Sequence, residues 1–436
     1  AVNITTDTGS LVVQGDADTT DDAGDDKIDF TGAITLQSAT TLQLDADTGG
    51  IVGDSGLSLL SANGIAINDN LTTNGATILD VTDNSGDVTI AAAKAINTTS
   101  NTLNLDSGDL DLTGGQTINT GSAKLTITES TGDGIGLGTA LGGTAMDIAD
   151  AELAQLTTGD LELLSAGKIT VNGVTAGNTG TISGTTTLSS TGEIEFSTAA
   201  SVFDNALSVS SDDLVDIDQD VSSATGNLSI NGDADTDSDS NDQIEIANGV
   251  TLAAGGSLSL DAASAVTGIV AAGTVTLNAN SGVSINDVMT SGGTLTVDAD
   301  VDNGSGGTFT VASGKSVTVT GGFDITADNV DLAGTLSGTT ASTITDSDNT
   351  GVGLGAATVV GGLELSGAEL ENITVGATGL TIATGGNITV NGVTAANSNN
   401  ITGTVSLDTT SGAGVVSFTA APSTFNALNV QSDQGV

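Results

Sequence analysis

The sequence predicts an all-β chain, a right-handed parallel β-helix (β-solenoid) once its resemblances are weighed, coiled into an elongated rod. Three observations carry the solenoid: the chain is nearly the same sequence written twice, its apolar residues alternate with Ser and Thr in short runs, and it lacks the bulky side chains that fill a large globular core. A long fixed-period repeat points first to a stacked array.

The doubling comes first. Gly15-Asp-Ala-Asp matches Gly232-Asp-Ala-Asp at a shift of 217, against a half-length of 218. Gly64-Ile-Ala-Ile-Asn-Asp answers Gly282-Val-Ser-Ile-Asn-Asp, and Ile169-Thr-Val-Asn-Gly-Val-Thr-Ala returns at Ile388, so the shift drifts only from 217 to 221. The expected division is therefore a first tandem repeat over 1–217 and a second over 218–436, continuous with it. Val436 falls opposite Val215 and Ala1 opposite Asp218, the pattern of a segment cut from a longer array. Uncapped solenoid ends are sheet edges, and the next repeat of the same chain, or a like chain, is the expected partner.

Within each copy runs an inner repeat. Gly256-Ser-Leu-Ser-Leu-Asp, Gly273-Thr-Val-Thr-Leu-Asn, Gly293-Thr-Leu-Thr-Val-Asp and Gly307-Thr-Phe-Thr-Val-Ala start 17, 20 and 14 residues apart. The alternation is the period of a strand with one buried face. Strands of three to five residues broken by Gly and Asn suit a coil of roughly 20 residues a turn, rising about 4.8 Å each. Leu, Ile and Val are expected to stack inward and Ser and Thr outward, with Gly, Asn and Asp at the corners. Helical spacing is confined to a turn or two at Asp150-Ala-Glu-Leu-Ala-Gln-Leu156. Phe203 and Phe425, each seven residues after Phe196 and Phe418, are expected as core plugs at a bend.

Composition narrows the function. Aromatic residues make up 2%, with no Trp, Tyr, Cys or His. The 54 acidic residues against 5 basic ones, all Lys, leave a formal net charge of -49. Such a surface repels nucleic acid and anionic lipid and attracts cations. Without Cys there is neither a disulfide scaffold nor Cys-ligated zinc. No run of 18 apolar residues occurs, so membrane insertion as a helix is not expected.

Gly134-Ile-Gly-Leu-Gly, then Asp150-Ala-Glu-Leu, Leu161-Glu-Leu and Gly167-Lys-Ile-Thr-Val-Asn-Gly resemble the recurring unit of filamentous-haemagglutinin-like giant surface proteins of bacteria. The second copy carries the same series from Gly351 through Gly367-Ala-Glu-Leu to Gly386-Asn-Ile-Thr-Val-Asn-Gly. The resemblance is one of texture over the whole chain and of motif over about a third of it. It implies the right hand of the parallel β-helix and a secreted, cell-surface adhesin role, with host-cell or matrix glycans engaged through modules outside this sequence. The excess of Asp and the lack of a recognisable secretion or tip module depart from the pattern and leave the specific role open.

The strongest chemical signal is the acidic loop, with Asp16, Asp18, Asp21, Asp22, Asp25 and Asp26 in the first copy and Asp233, Asp235, Asp237, Asp239 and Asp242 in the second. Calcium takes six to eight oxygens, and alternating Asp on a loop can supply several; a solvated acidic bulge is the competing reading. Neither an EF-hand nor a Gly-rich nonapeptide pattern is present. Lys27 becomes Gln243, so it is no part of a required site. The pairs Glu193/Glu195 and Asp109/Asp111 invite comparison with the two carboxylates of glycoside hydrolysis. However, the second copy replaces Glu193-Ile-Glu by Val415-Val-Ser, and no Trp or Tyr offers a sugar platform. With no His and five isolated Lys, read as solubilising or charge-balancing, no Ser or Thr hydroxyl is activated. The expected function is a non-catalytic stalk or fibre segment; the alternative is a self-assembling subunit of an extracellular filament or surface layer.

Overall fold

The computed structural model describes every residue except 1, 16–25, 47–48, 83–85, 140–145, 236–241, 263–267, 305 and 410, together with the side chain of Val2. The chain divides into two units, Ala1–Ser211 and Asp212–Val436. Each is an all-β coil of parallel strands, the solenoid expected from the alternation.

In the first unit one turn runs through the strands Leu57–Ser61, Gly64–Ile67 and Leu71–Thr73 before Thr77–Val81 begins the next. Each strand pairs in parallel with its equivalent one turn on. Leu57 lies beside Thr77, Thr77 beside Leu103, Leu103 beside Leu125 and Leu125 beside Leu161. These partners are 20, 26, 22 and 36 residues apart, so the turn is not the uniform length of roughly 20 that the inner repeat suggests. The ladder keeps register only at the strands; the corners absorb the surplus. The longest of these turns carries the strand Ile135–Gly138 and the short helix Asp150–Leu153.

The same register stacks like on like. Leu36, Leu59, Leu79, Leu105, Ile127, Leu163, Leu188 and Val209 form one inward row, each 0–1% exposed. Burying each aliphatic side chain is worth about 1.5–3 kcal/mol. A narrow stack needs no bulky aromatic residue, which explains a core of this size with 2% aromatics. Phe203 is fully buried, as expected of a plug, but Phe425 is only half-buried; their neighbours Phe196 and Phe418 are fully buried and 46% exposed.

The serines depart from expectation. Alongside the outward Ser and Thr rows, Ser38, Ser61, Ser107, Ser165, Ser190 and Ser211 lie inward at one corner, all buried. The chain turns there, and corner carbonyls come within reach of the hydroxyls. Ser61 Oγ donates to Thr40 O at 2.6 Å, Ser190 Oγ to Gly167 O at 2.6 Å and Ser211 Oγ to Gly192 O at 2.5 Å. Thr40 O also takes Asn63 N at 2.7 Å, so Ser61 is a second donor there. What the corner carbonyls satisfy is the buried serine hydroxyl itself, which would cost about 1–3 kcal/mol if left without a partner.

The second unit repeats the scheme. Val275–Ala279, Leu295–Asp298, Phe323–Ala327, Ser342–Asp346, Leu380–Ala383, Val405–Asp408 and Leu428–Gln431 form one continuous parallel run within a sheet. Among the described residues no helix is long and apolar enough to cross a membrane.

Candidate functional site: the acidic corners

Of the acidic-loop residues, Asp16, Asp18, Asp21, Asp22, Asp25, Asp237 and Asp239 lie outside the described residues. Asp26 is 7% exposed, and its carbonyl accepts from Gly49 N at 2.7 Å. In the second unit Asp233, Asp235 and Asp242 come together, with one carboxylate oxygen from each within 4.8 Å of the others. Asp233 and Asp242 are buried, at 2% and 0% exposed, and Asp235 is exposed. Three convergent carboxylates are a donor set of the kind hard cations take, although calcium needs further oxygens to complete its shell.

This corner continues turn by turn. Gly232 N donates to Asp261 O at 3.0 Å, and Asn286 N to Leu260 O at 2.9 Å, which places Asp287 one turn beyond Asp261. Burial, then the charge of Asp287, push the Asp261 carboxyl up, with a smaller push from Asp233 and against the pull of Lys315. Asp287 is 0% exposed, and Lys315 Nζ reaches its Oδ1 at 2.9 Å. The first unit has the same corner: Gly15 N donates to Asp45 O, Asn68 N to Leu44 O, and Lys94 pairs with Asp69. Asp69 is 4% exposed, so each unit carries a buried acid held by a lysine from the next turn. Lys94 and Lys315 therefore balance buried charges, the second of the two roles expected of the lysines. The signal was present: Asn68-Asp69 and Asn286-Asp287 recur, as do Ala93-Lys94 and Gly314-Lys315, with the residue before each lysine at φ of 59° and 76°. What hid it was separation, since the partners lie 25 and 28 residues apart.

A second buried carboxylate recurs at the base of the Gly-Ile/Val-Gly-Leu-Gly segment, in the first unit between Ser107 and Ser165 of the serine row. Glu129 is 2% exposed and gathers Thr131 N at 2.6 Å, Gly132 N at 2.8 Å, Gly134 N at 3.3 Å and Ser165 Oγ at 3.1 Å, together with the Thr131 hydroxyl. Burial alone would raise its carboxyl, but these donors outweigh it and hold it below the usual range. At the corresponding place in the second unit stands Asp346, 1% exposed and one methylene shorter. Its Oδ2 accepts from Gly351 N at 2.9 Å and Thr384 Oγ1 at 2.7 Å, while its Oδ1 has no donor. Asp348 stands where Thr131 does in the first copy. Burial first, then the adjacent Asp348 carboxyl, push Asp346 up to about 6.

The carboxylate pairs singled out in the sequence resolve differently. Lys168 Nζ bridges Glu193 at 3.0 Å and Glu195 at 2.9 Å. Burial would lower the Lys168 ammonium, but the Glu195 and Glu193 partners overcome this and raise it. Lys168 becomes Asn387 in the second copy, where Asn387 Oδ1 accepts from Val415 N at 2.9 Å, so the acids and their lysine are replaced together. Asp109 and Asp111 instead line a cavity with Asp87 and Gln116.

No family model, curated protein or solved structure matches this chain.

Proposed function

We propose that this chain is a non-catalytic structural segment, the stalk or fibre portion of a secreted, cell-surface, filamentous-haemagglutinin-like adhesin. The observation that carries this reading is the recurrence in both units of the same buried devices, an Asp held by a Lys from the next turn and a carboxylate anchoring the turn before Gly-Ile/Val-Gly-Leu-Gly. Both serve the corners of the coil. Chemistry on a substrate would not require them twice, whereas a coil that must keep its corners closed would. The absence of His and Cys from the sequence supports the same reading. We assign calcium to the corner formed by Asp233, Asp235 and Asp242, where a divalent ion would relieve repulsion in a chain of formal net charge -49.

Sedimentation velocity over a hundredfold concentration range tests the structural role. A concentration-independent monomer is expected of a stalk segment, and reversible growth into polymers would replace it with the self-assembling subunit. For calcium, chelation is expected to lower the melting temperature and millimolar calcium to restore it, with Asp233→Asn and Asp242→Asn abolishing the response. An unchanged melt would leave the corner an acidic turn that holds no calcium.

A further inference from the structure

The two buried acid–lysine pairs are not alike. In the first unit both oxygens of Asp69 are engaged: Lys94 Nζ meets Oδ1, and Ala46 N donates to Oδ2 at 3.2 Å. In the second unit Asp287 Oδ1 takes two donors, Val288 N at 2.5 Å and Lys315 Nζ at 2.9 Å, while Oδ2 is buried and has no hydrogen-bond partner. Asp287 is 0% exposed, so this oxygen has no water to turn to. A buried carboxylate oxygen without a donor is costly, the more so on a charged group.

An amide has only one oxygen. Condensation of Lys315 with Asp287 keeps Oδ1 on Val288 N, binds Nζ to Cγ and removes the oxygen that finds no donor, together with both charges.

The ladder holds the two groups in place for this reaction. Asn286 N donates to Leu260 O at 2.9 Å and Ile269 N to Val288 O at 2.8 Å, which fixes the backbone on both sides of Asp287. Lys315 N donates to Ala312 O at 3.1 Å, and its carbonyl accepts from Thr335 N at 3.0 Å. Well-oriented groups in one molecule react as though at effective concentrations of about 10⁵–10⁸ M.

We propose that Lys315 and Asp287 join in an isopeptide bond, an amide from Nζ to Cγ that staples one turn of the second unit to the next. The ion pair is the state into which the chain folds, and the amide forms from it. One proton passes from Nζ to the Asp287 carboxyl through their hydrogen bond, leaving a neutral amine and a neutral acid. The Nζ lone pair then attacks Cγ and forms the C–N bond. Nζ gives up a second proton, which Asp261, coupled by charge to both partners, can pass on. The Cγ–Oδ2 bond breaks with its electron pair on the oxygen, which leaves with the two protons as water by way of the 34% exposed Lys315 side chain. The amide retains one N–H, and no other reactant is consumed. In the first unit Ala46 N holds the oxygen that would have to leave, so Lys94 and Asp69 stay an ion pair. In a chain without Cys, the staple takes the place of a disulfide and is indifferent to reductant.

The test is intact-mass measurement of the full 436-residue chain, kept in denaturant from inclusion bodies until refolding and then sampled over time in native buffer. The freshly refolded chain is expected to have the sequence mass and to lose one water, not two, on standing, while a sample left in denaturant keeps its full mass. Proteolysis should then yield a branched peptide with Asp287 joined to Lys315. Lys315→Arg retains a cation for Asp287 and is expected to hold the sequence mass with an unchanged circular dichroism spectrum. Lys94→Arg is expected to lose the water as the parent does. A folded parent that keeps its full mass, a deficit that persists in Lys315→Arg as a succinimide at an Asp-Gly bond would, or a branch at Lys94 in place of Lys315 would each overturn the assignment.

Discussion

Replacing Asp346 by Asn is expected to stabilise the second unit at neutral pH and to do nothing in acid. The folded carboxyl sits at about 6 against an ordinary value of 3.8. The folded state therefore binds this proton more tightly than the unfolded chain does. Its contribution is fully present below about pH 4 and is lost as pH rises through about 6, beyond which the unit holds an ionised acid beside Asp348 with one oxygen lacking a donor. A shift of about 2 units corresponds to about 3 kcal/mol, and the 1% exposure of Asp346 leaves little solvent to screen it. The asparagine amide would keep an oxygen for Gly351 N and Thr384 Oγ1 and never ionise. Denaturant unfolding followed by circular dichroism at pH 4, 5, 6, 7 and 8, with hydrogen exchange of the amides in Val352–Gly355 as the local readout, measures the difference. The variant should match the parent at pH 4 and exceed it by up to about 3 kcal/mol at pH 8. A difference independent of pH, or a variant less stable at pH 8, would refute the assignment of the proton to Asp346.

Glu129→Gln should behave in the opposite sense: its carboxyl is held low, so its contribution is present at neutral pH and fades as pH falls below the ordinary carboxylate range, and the variant should be less stable at pH 7 with a deficit that shrinks in acid melts. Lys315→Met leaves Asp287 buried without its cation and should cost about 2–4 kcal/mol in denaturant unfolding, whereas the double change Lys315→Met/Asp287→Leu should recover most of that loss. Ala93 adopts φ of 59° where the second copy has Gly314, so Ala93→Gly should raise unfolding stability by about 0.5–1 kcal/mol. Ile127→Ala opens a gap in a fully buried row and should cost about 2–5 kcal/mol.

Much of the architecture was legible because alternation along a strand is a local property. Gly256-Ser-Leu-Ser-Leu-Asp announces the strand Leu258–Asp261, and Val283-Ser-Ile is the strand Val283–Ile285. Asp150-Ala-Glu-Leu is the short helix expected of it. Turn length was not legible, because the corners between Leu125 and Leu161 lengthen without disturbing the register on either side. The inward serines were hidden for a related reason: Ser61 and Ser58 look alike in sequence, and only the carbonyl of Thr40, 21 residues earlier, shows which one is buried. The acidic corner was half visible. Asp233, Asp235 and Asp242 were found by their density, while Asp287 and Lys315, which extend the same corner, are solitary residues joined only by the coil.

Every site described here depends on like strands stacking in parallel, in register, turn upon turn. The chain contains no Cys, so engineered pairs report this without background. Thr276 and Thr296 face outward on neighbouring strands and are register partners. Their Cα atoms should lie about 4.8 Å apart, within disulfide reach. Mild oxidation of Thr276→Cys/Thr296→Cys should give quantitative intramolecular crosslinking, while the offset pair Thr276→Cys/Asp298→Cys should remain largely reduced. Equal crosslinking of both pairs, or preference for the offset one, would contradict the stacked register.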